Sequence, residues 1–183
     1  MNTLPHYLRP GLRLVLIGYN PGMESARAGH YYAFHGNVFW RQLSESSLAR
    51  PGVSHIDDAS LMDQAGIGLT DLCPRPTASA GELARVELQE GAHRLHREIS
   101  DSQPRVAVFG GRGIYSVFAR VALGLPASEL HGRAWGRQPE TVGATELWVV
   151  PSSSGLASKW HAKRLELLRE ISRRVDSWQV PEA

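Results

Sequence analysis

The chain has 183 residues, 42% of them hydrophobic and 21% charged, which suits one ordinary globular domain with a real core. Its single cysteine, Cys73, excludes an intramolecular disulfide and an iron–sulfur cluster, and no apolar run approaches the ~20 residues of a membrane-spanning helix. Net charge is only +2 but unevenly spread, with nine acids against four bases over residues 54–101 and six bases against two acids over residues 151–175. A basic C-terminal segment suits a phosphate backbone, although a solvated helix face has the same composition. Residues 1–10 lack the basic start and apolar centre of a secretory signal, so a cytoplasmic location without a membrane partner is expected. His93 and His96 share a helix face with no third ligand at metal spacing, so no metal or other cofactor is expected.

In chain order, residues 12–17 form an apolar run broken only by Arg13 and predict a strand buried on both faces. The run stops at Gly18-Tyr19-Asn20-Pro21-Gly22. The two glycines permit close backbone approach, and Pro21 fixes its own φ and pushes Asn20 toward an extended backbone. Asn20 thus stands on a rigid mount at the carboxyl end of a strand, where open α/β sheets bind ligands. Taken alone, the stretch also reads as a structural turn. Residues 29–36 are loop-like yet aromatic, with Tyr31, Tyr32 and Phe34, side chains that act as core plugs or as stacking surfaces. Asn37 is placed to cap a helix over 38–47, with Phe39, Trp40 and Leu43 on its buried side. A short helix near 61–64 leads into a second short strand over 67–72, with Asp71 at its end, and Pro74 and Pro76 then break the chain.

Spacing through Val86, Leu95 and Ile99 predicts a helix over 85–102, weakened by Gly91. Residues 105–109 predict a third strand, followed by Gly110, Gly111 and Gly113 and a helix over 114–123. This glycine cluster lacks the third glycine of a dinucleotide fingerprint and reads as a tight strand-to-helix turn. Residues 124–136 read as a loop, and 138–142 and 146–150 as strands joined across Gly143-Ala144. Residues 151–158 are small and polar around Leu156, and a last helix over 162–178 carries Leu168, Ile171, Val175 and Trp178 at 3-4-3 spacing. The alternation predicts a single three-layer α/β domain over 1–183, with a mostly parallel central sheet and helices on both faces.

Gly18-Tyr19-Asn20-Pro21-Gly22 and Pro151-Ser152-Ser153-Ser154-Gly155-Leu156 together resemble the two motifs of the mismatch-specific uracil-DNA glycosylases, the branch that includes thymine-DNA glycosylase. Residues 8–13, 37–40, 75–77 and 135–138 resemble the bacterial enzymes at matching places, so the likeness spans about 8–171. The resemblance implies a single α/β domain that removes uracil and related pyrimidines from double-stranded DNA, with a preference for a base mispaired with guanine. It implies no metal or cofactor, a monomer, and an abasic product passed to downstream abasic-site repair enzymes. By the same likeness Tyr32 falls where the family stacks an aromatic ring on the flipped base. Ser25 falls where the family lines the pocket near pyrimidine C5. The family's second motif often has an arginine where this chain has Ser158, followed by Lys159. Most relatives carry a neutral or basic residue where this chain has Asp71, though some bacterial members carry an acid.

The residue chemistry agrees with that reading. A base inside a duplex must be extruded to be cut, and extrusion needs a wedge. Leu156, set behind Gly155 in an otherwise polar loop, suits the wedge, although a buried loop anchor has the same sequence signature. Ser152, Ser153 and Ser154 suit phosphate contacts. Uracil departs as a delocalised anion, so preorganised dipoles and a positioned water matter most. Asn20 cannot accept a proton near neutral pH but can hold a water through its carbonyl oxygen. Backbone N–H groups around Tyr19 and Gly22 can face the pyrimidine oxygens. Asp71 is either a base for that water or the organiser of the turn into Pro74. The competing expectation is a non-catalytic module that binds flipped or mismatched bases and recruits repair partners.

Overall fold

Successive residues of the first strand, β1 (Leu14–Gly18), point into two different helix layers. Leu14 and Leu16 join one apolar cluster, and Val15 and Ile17 join the other. That period-2 partition makes an unbroken apolar run a doubly covered strand. The same division runs through β3 (Val106–Phe109) and β5 (Thr145–Val149), β2 (Ile67–Asp71) gives Ile67 and Leu69 to the first cluster, and only β4 (Gly136–Val142) has exposed positions. The computed structural model describes residues 3–177, so Trp178, expected in the last helix, lies outside the described residues.

The five strands lie in the order β2-β1-β3-β5-β4. All neighbours are parallel except β4 and β5, which form an antiparallel hairpin. One face is covered by α2 (Phe39–Glu45), α3 (Leu61–Ala65) and α7 (His161–Asp176). The other is covered by α4 (Arg85–Ser102) and α5 (Arg112–Ala122). A short α1 (Met23–Ala28) follows the β1 loop. This is the expected single α/β domain with a mostly parallel sheet between two helix layers. Among the described residues no helix is long and apolar enough to cross a membrane.

Asn37 does support the start of α2, its side-chain oxygen accepting from the Phe39 N–H at 2.9 Å. Three expectations need correction. Val86 is 55% exposed rather than part of the buried face of α4, which is made by Ala92, Leu95 and Ile99. Gly91 is a requirement of packing rather than a weakness, because a Cβ there would stand 2.0 Å from the Leu72 carbonyl oxygen. Residues 124–136 are not all loop, since Ala127–Leu130 forms the short helix α6.

The layout sets the site. β1, β3 and β5 end on the same sheet edge, and their following loops therefore converge. The loop after β1 is zipped to the segment after β2 by Leu72 N–H to Gly18 O (2.8 Å), Cys73 N–H to Tyr19 O (2.9 Å) and Thr77 N–H to Pro21 O (3.2 Å). The loop after β5 is tied to the start of α2 by Val38 N–H to Ser153 O at 3.1 Å.

Candidate active site

A cavity of about 440 Å³ opens where these loops meet. Gly18, Tyr19, Asn20 and Gly22 line one side, Ser152, Ser153 and Ser154 another, with Tyr32, Asn37 and Phe39 between them. Its floor reaches the sheet at Leu16, Val108 and Val150. Two segments more than a hundred residues apart in sequence thus face each other across one crevice, at the carboxyl edge of the parallel strands.

Asn20 is held by its amide nitrogen. Nδ2 donates to Thr77 Oγ1 at 2.7 Å, to the Arg75 carbonyl at 2.9 Å and to the Pro21 carbonyl at 3.4 Å. Carbonyl oxygens only accept, so these partners settle which end of the amide is nitrogen. The carbonyl oxygen is left as the acceptor for a bound water. Thr77 belongs to the stretch 75–77 that carries part of the resemblance, but its role as the anchor of Asn20 is visible only in the structure.

Tyr32 has φ of +52°, a left-handed backbone that is strained for a bulky residue and tends to mark functional sites. Several contacts hold it there. Its ring stacks on Phe39 with centroids 3.8 Å apart and planes 12° from parallel. The neighbouring Tyr31 N–H donates to the buried Asp58 carboxylate at 2.9 Å, and the Ala33 N–H donates to Ser25 Oγ at 3.2 Å. Ser25 is therefore not among the residues that line the cavity. It braces the aromatic loop that presents Tyr32.

Asp71 ends β2 directly opposite Gly18 in the parallel register. Its carboxylate packs over the Gly18 α-carbon, so that a Cβ there would meet Asp71 Oδ1 at 2.1 Å and the Tyr32 hydroxyl at 3.0 Å. Glycine is needed at position 18 for this approach. Asp71 is only 4% exposed and lies behind Gly18 and Tyr32 rather than on the cavity wall. Burial pushes its carboxyl up to about 7, against the opposing pull of the Arg94 guanidinium. Arg94 itself donates to the backbone carbonyls of Asp71 (2.5 Å) and Leu72 (3.1 Å), which fixes the strand end from the α4 side.

The loop after β5 is organised by its own serines. Ser152 Oγ accepts from the Ser154 N–H at 3.1 Å, and Ser154 Oγ accepts from the Leu156 N–H at 3.4 Å. Accepting leaves each hydroxyl proton available to an outside acceptor. A 3₁₀ turn, Gly155–Trp160, follows and carries Leu156, Ser158 and Lys159 outside the cavity. Leu156 is fully exposed, at 100%, so it is not a buried loop anchor. The same turn carries one end of a row in which two indoles stand between two cations. Arg112 lies 4.0 Å above Trp135, Trp135 meets Trp160 edge-on at 5.7 Å, and Lys159 lies 5.8 Å above Trp160.

Arg164 departs from expectation. Counted with the basic surface in the sequence, it is 2% exposed and lines the cavity. Lys163 pairs with Glu166 at 3.0 Å. The outward-facing cations of this segment nearest the loop thus reduce to Lys159. No group of three or more metal-ligating side chains stands together among the described residues.

A family model described as the uracil DNA glycosylase superfamily matches residues 5–175. That match covers both cavity loops and every strand of the sheet. The chain belongs to the uracil DNA glycosylase superfamily, whose members are DNA glycosylases, hydrolases of base excision repair.

Proposed function

We propose that this protein is a monofunctional uracil-DNA glycosylase of the mismatch-directed branch, acting on uracil paired with guanine and leaving an abasic site for downstream repair enzymes. The observation that carries the reading is Asn20, an amide clamped by its nitrogen at the cavity wall, opposite a serine loop that ends in a fully exposed leucine. A flipped uridine fits between the two. Tyr32, backed by Phe39, offers a flat surface for the base, at roughly 1–3 kcal/mol per stacked base. The carbonyl oxygen of Asn20 positions water at C1′, and its proton passes to Asp71 across Gly18, which has no side chain to separate the carboxylate from the cavity. The test is release of free uracil from a duplex with one central G·U pair. Binding of that duplex without release would identify a recognition module instead.

Leu156 is the wedge. Transferring a leucine from water into the base stack yields about 1.5–3 kcal/mol, which offsets an unstacking cost of a few kcal/mol. Leu156→Ala therefore lowers turnover on a stable G·U duplex more than on single-stranded uracil, where no stack has to be opened. Equal losses on both, measured in parallel single-turnover assays, would remove it from that role.

The cation–indole row supplies the strand contacts that Ser158 cannot. Removing one phosphate-binding cation flattens the log–log salt slope of duplex binding by about one unit. Lys159→Ala is expected to give that reduction, and Lys163→Ala a smaller one because Glu166 already pairs with it. An unchanged slope for Lys159→Ala would make this residue a solvated surface group.

A further inference from the structure

We propose that Arg164 is the anion-stabilising group of this site, its guanidinium taking up the negative charge that the departing pyrimidine acquires as the glycosidic bond breaks. The inference rests on the glycosylase reading above and adds a residue to it. Arg164 rises from the first turn of α7 into the space beneath the cavity. Its Nη1 donates to Gln42 Oε1 at 2.7 Å, a neutral acceptor, and its guanidinium lies 5.6 Å from the centroid of Phe39. Its Nε is buried with no hydrogen-bond partner. No carboxylate pairs with it among the described residues, whereas nine other arginines have such a partner. Burial draws its proton affinity down to about 10, against an opposing electrostatic contribution from Tyr32.

A buried guanidinium with an unused donor and no counter-ion is costly to keep. Its contact with Phe39 returns only part of that cost. The molecule thus holds, beside this cavity, a cation with no carboxylate partner among the described residues, which an anionic occupant would complement. Two occupants offer a delocalised oxyanion, a phosphate and a pyrimidine leaving group. The floor favours the second, because Leu16, Val108 and Val150 are apolar and suit a flat ring better than a hydrated phosphate. In the step itself, the C1′–N1 electron pair leaves with the pyrimidine, the water oxygen bonds to C1′, and the water proton passes to Asp71. Arg164 exchanges no proton. It faces the charge that develops, and in a water-poor site such a preorganised donor acts strongly.

The experiment compares single-turnover release of uracil and of 5-fluorouracil, a base that departs more readily as an anion, from otherwise identical duplexes opposite guanine. Arg164→Gln is expected to slow uracil release by ~10²-fold and 5-fluorouracil release far less, so that the ratio between them widens. Arg164→Lys, which keeps the charge, restores much of the uracil rate. Gln42→Met, which removes the same hydrogen bond but not the charge, leaves the ratio unchanged and serves as the packing control. A ratio equal to the parental one in Arg164→Gln would overturn the proposal. So would equal losses on both bases with weaker duplex binding and a salt slope flattened by about one unit, which would assign Arg164 to a phosphate. Should Arg164→Gln melt early, Arg164→Lys decides alone: a single ammonium replaces the guanidinium fork incompletely, so its residual loss is expected to be larger on uracil than on 5-fluorouracil, and equal residual losses on both would overturn the proposal. Failure of the glycosylase reading is distinct, because the parental protein would then release neither base.

Discussion

Asp71→Asn is expected to lower single-turnover base release by ~10²–10⁴-fold and to erase the acid limb of the pH–rate profile. The carboxyl is pushed up to about 7 by burial beside Tyr32 and over Gly18. A base with that affinity is half-deprotonated at neutral pH, and the parental rate should therefore fall as pH drops below 7. The stability consequence has the opposite sense. Because the folded carboxyl titrates above its unfolded value, the folded state holds the proton more tightly, and stability is lost as pH rises from the ordinary carboxylate range through about 7. Asparagine carries no charge to bury, so Asp71→Asn should be at least as resistant to heat as the parent at pH 8. Near-parental rates across the pH range would leave Asp71 as an organiser of the strand end. A large drop in melting temperature at pH 8 would count against the same assignment.

Asn20→Ala is the second large effect, a loss of ~10²-fold or more in base release with duplex binding nearly unchanged. The amide is fixed by three acceptors on its nitrogen, so its oxygen is pre-aimed. Alanine removes the water site and leaves the surrounding loop zipped to residues 72–77 through its backbone. Thr77→Val offers a graded version, since it removes the shortest of the three hydrogen bonds and should cost less than the alanine. Parental turnover by Asn20→Ala would take the water from Asn20 altogether.

What can be read in the chain follows from where the information lies. Residues 18–22 are legible because glycine and proline declare their backbone preferences locally, and the doubly covered β1 is legible because no polar residue interrupts it beyond Arg13. The stop at Asp71 is legible for the same reason. Partnerships made by the parallel pairing of β1 with β2 are not, because Thr77 meets Asn20 from 57 residues away. Arg164 is invisible as a cavity residue in the sequence, since a buried cation at one helix position reads like its basic neighbours. Gly91 reads as a flaw for an equally local reason. Its value appears only when the Leu72 carbonyl is placed against it. Ser25 lies near the expected place but turns inward to hold Ala33.

The strand order has one more consequence. The Asn20 loop leaves from β1 and the Leu156 loop from β5, and both strands pair with β3. Their separation is therefore set by two interstrand hydrogen-bonding steps, about 4.8 Å each. Backbone ladders are indifferent to side chains, so the gap between pocket and wedge behaves as a ruler that mutation cannot easily recalibrate. Lineages are free to exchange the residues facing the base, and with them the range of lesions removed, while the reach from wedge to pocket stays constant. Diversification of specificity on this scaffold should accordingly run through the loop tips and the cavity floor, and leave the three central strands in register.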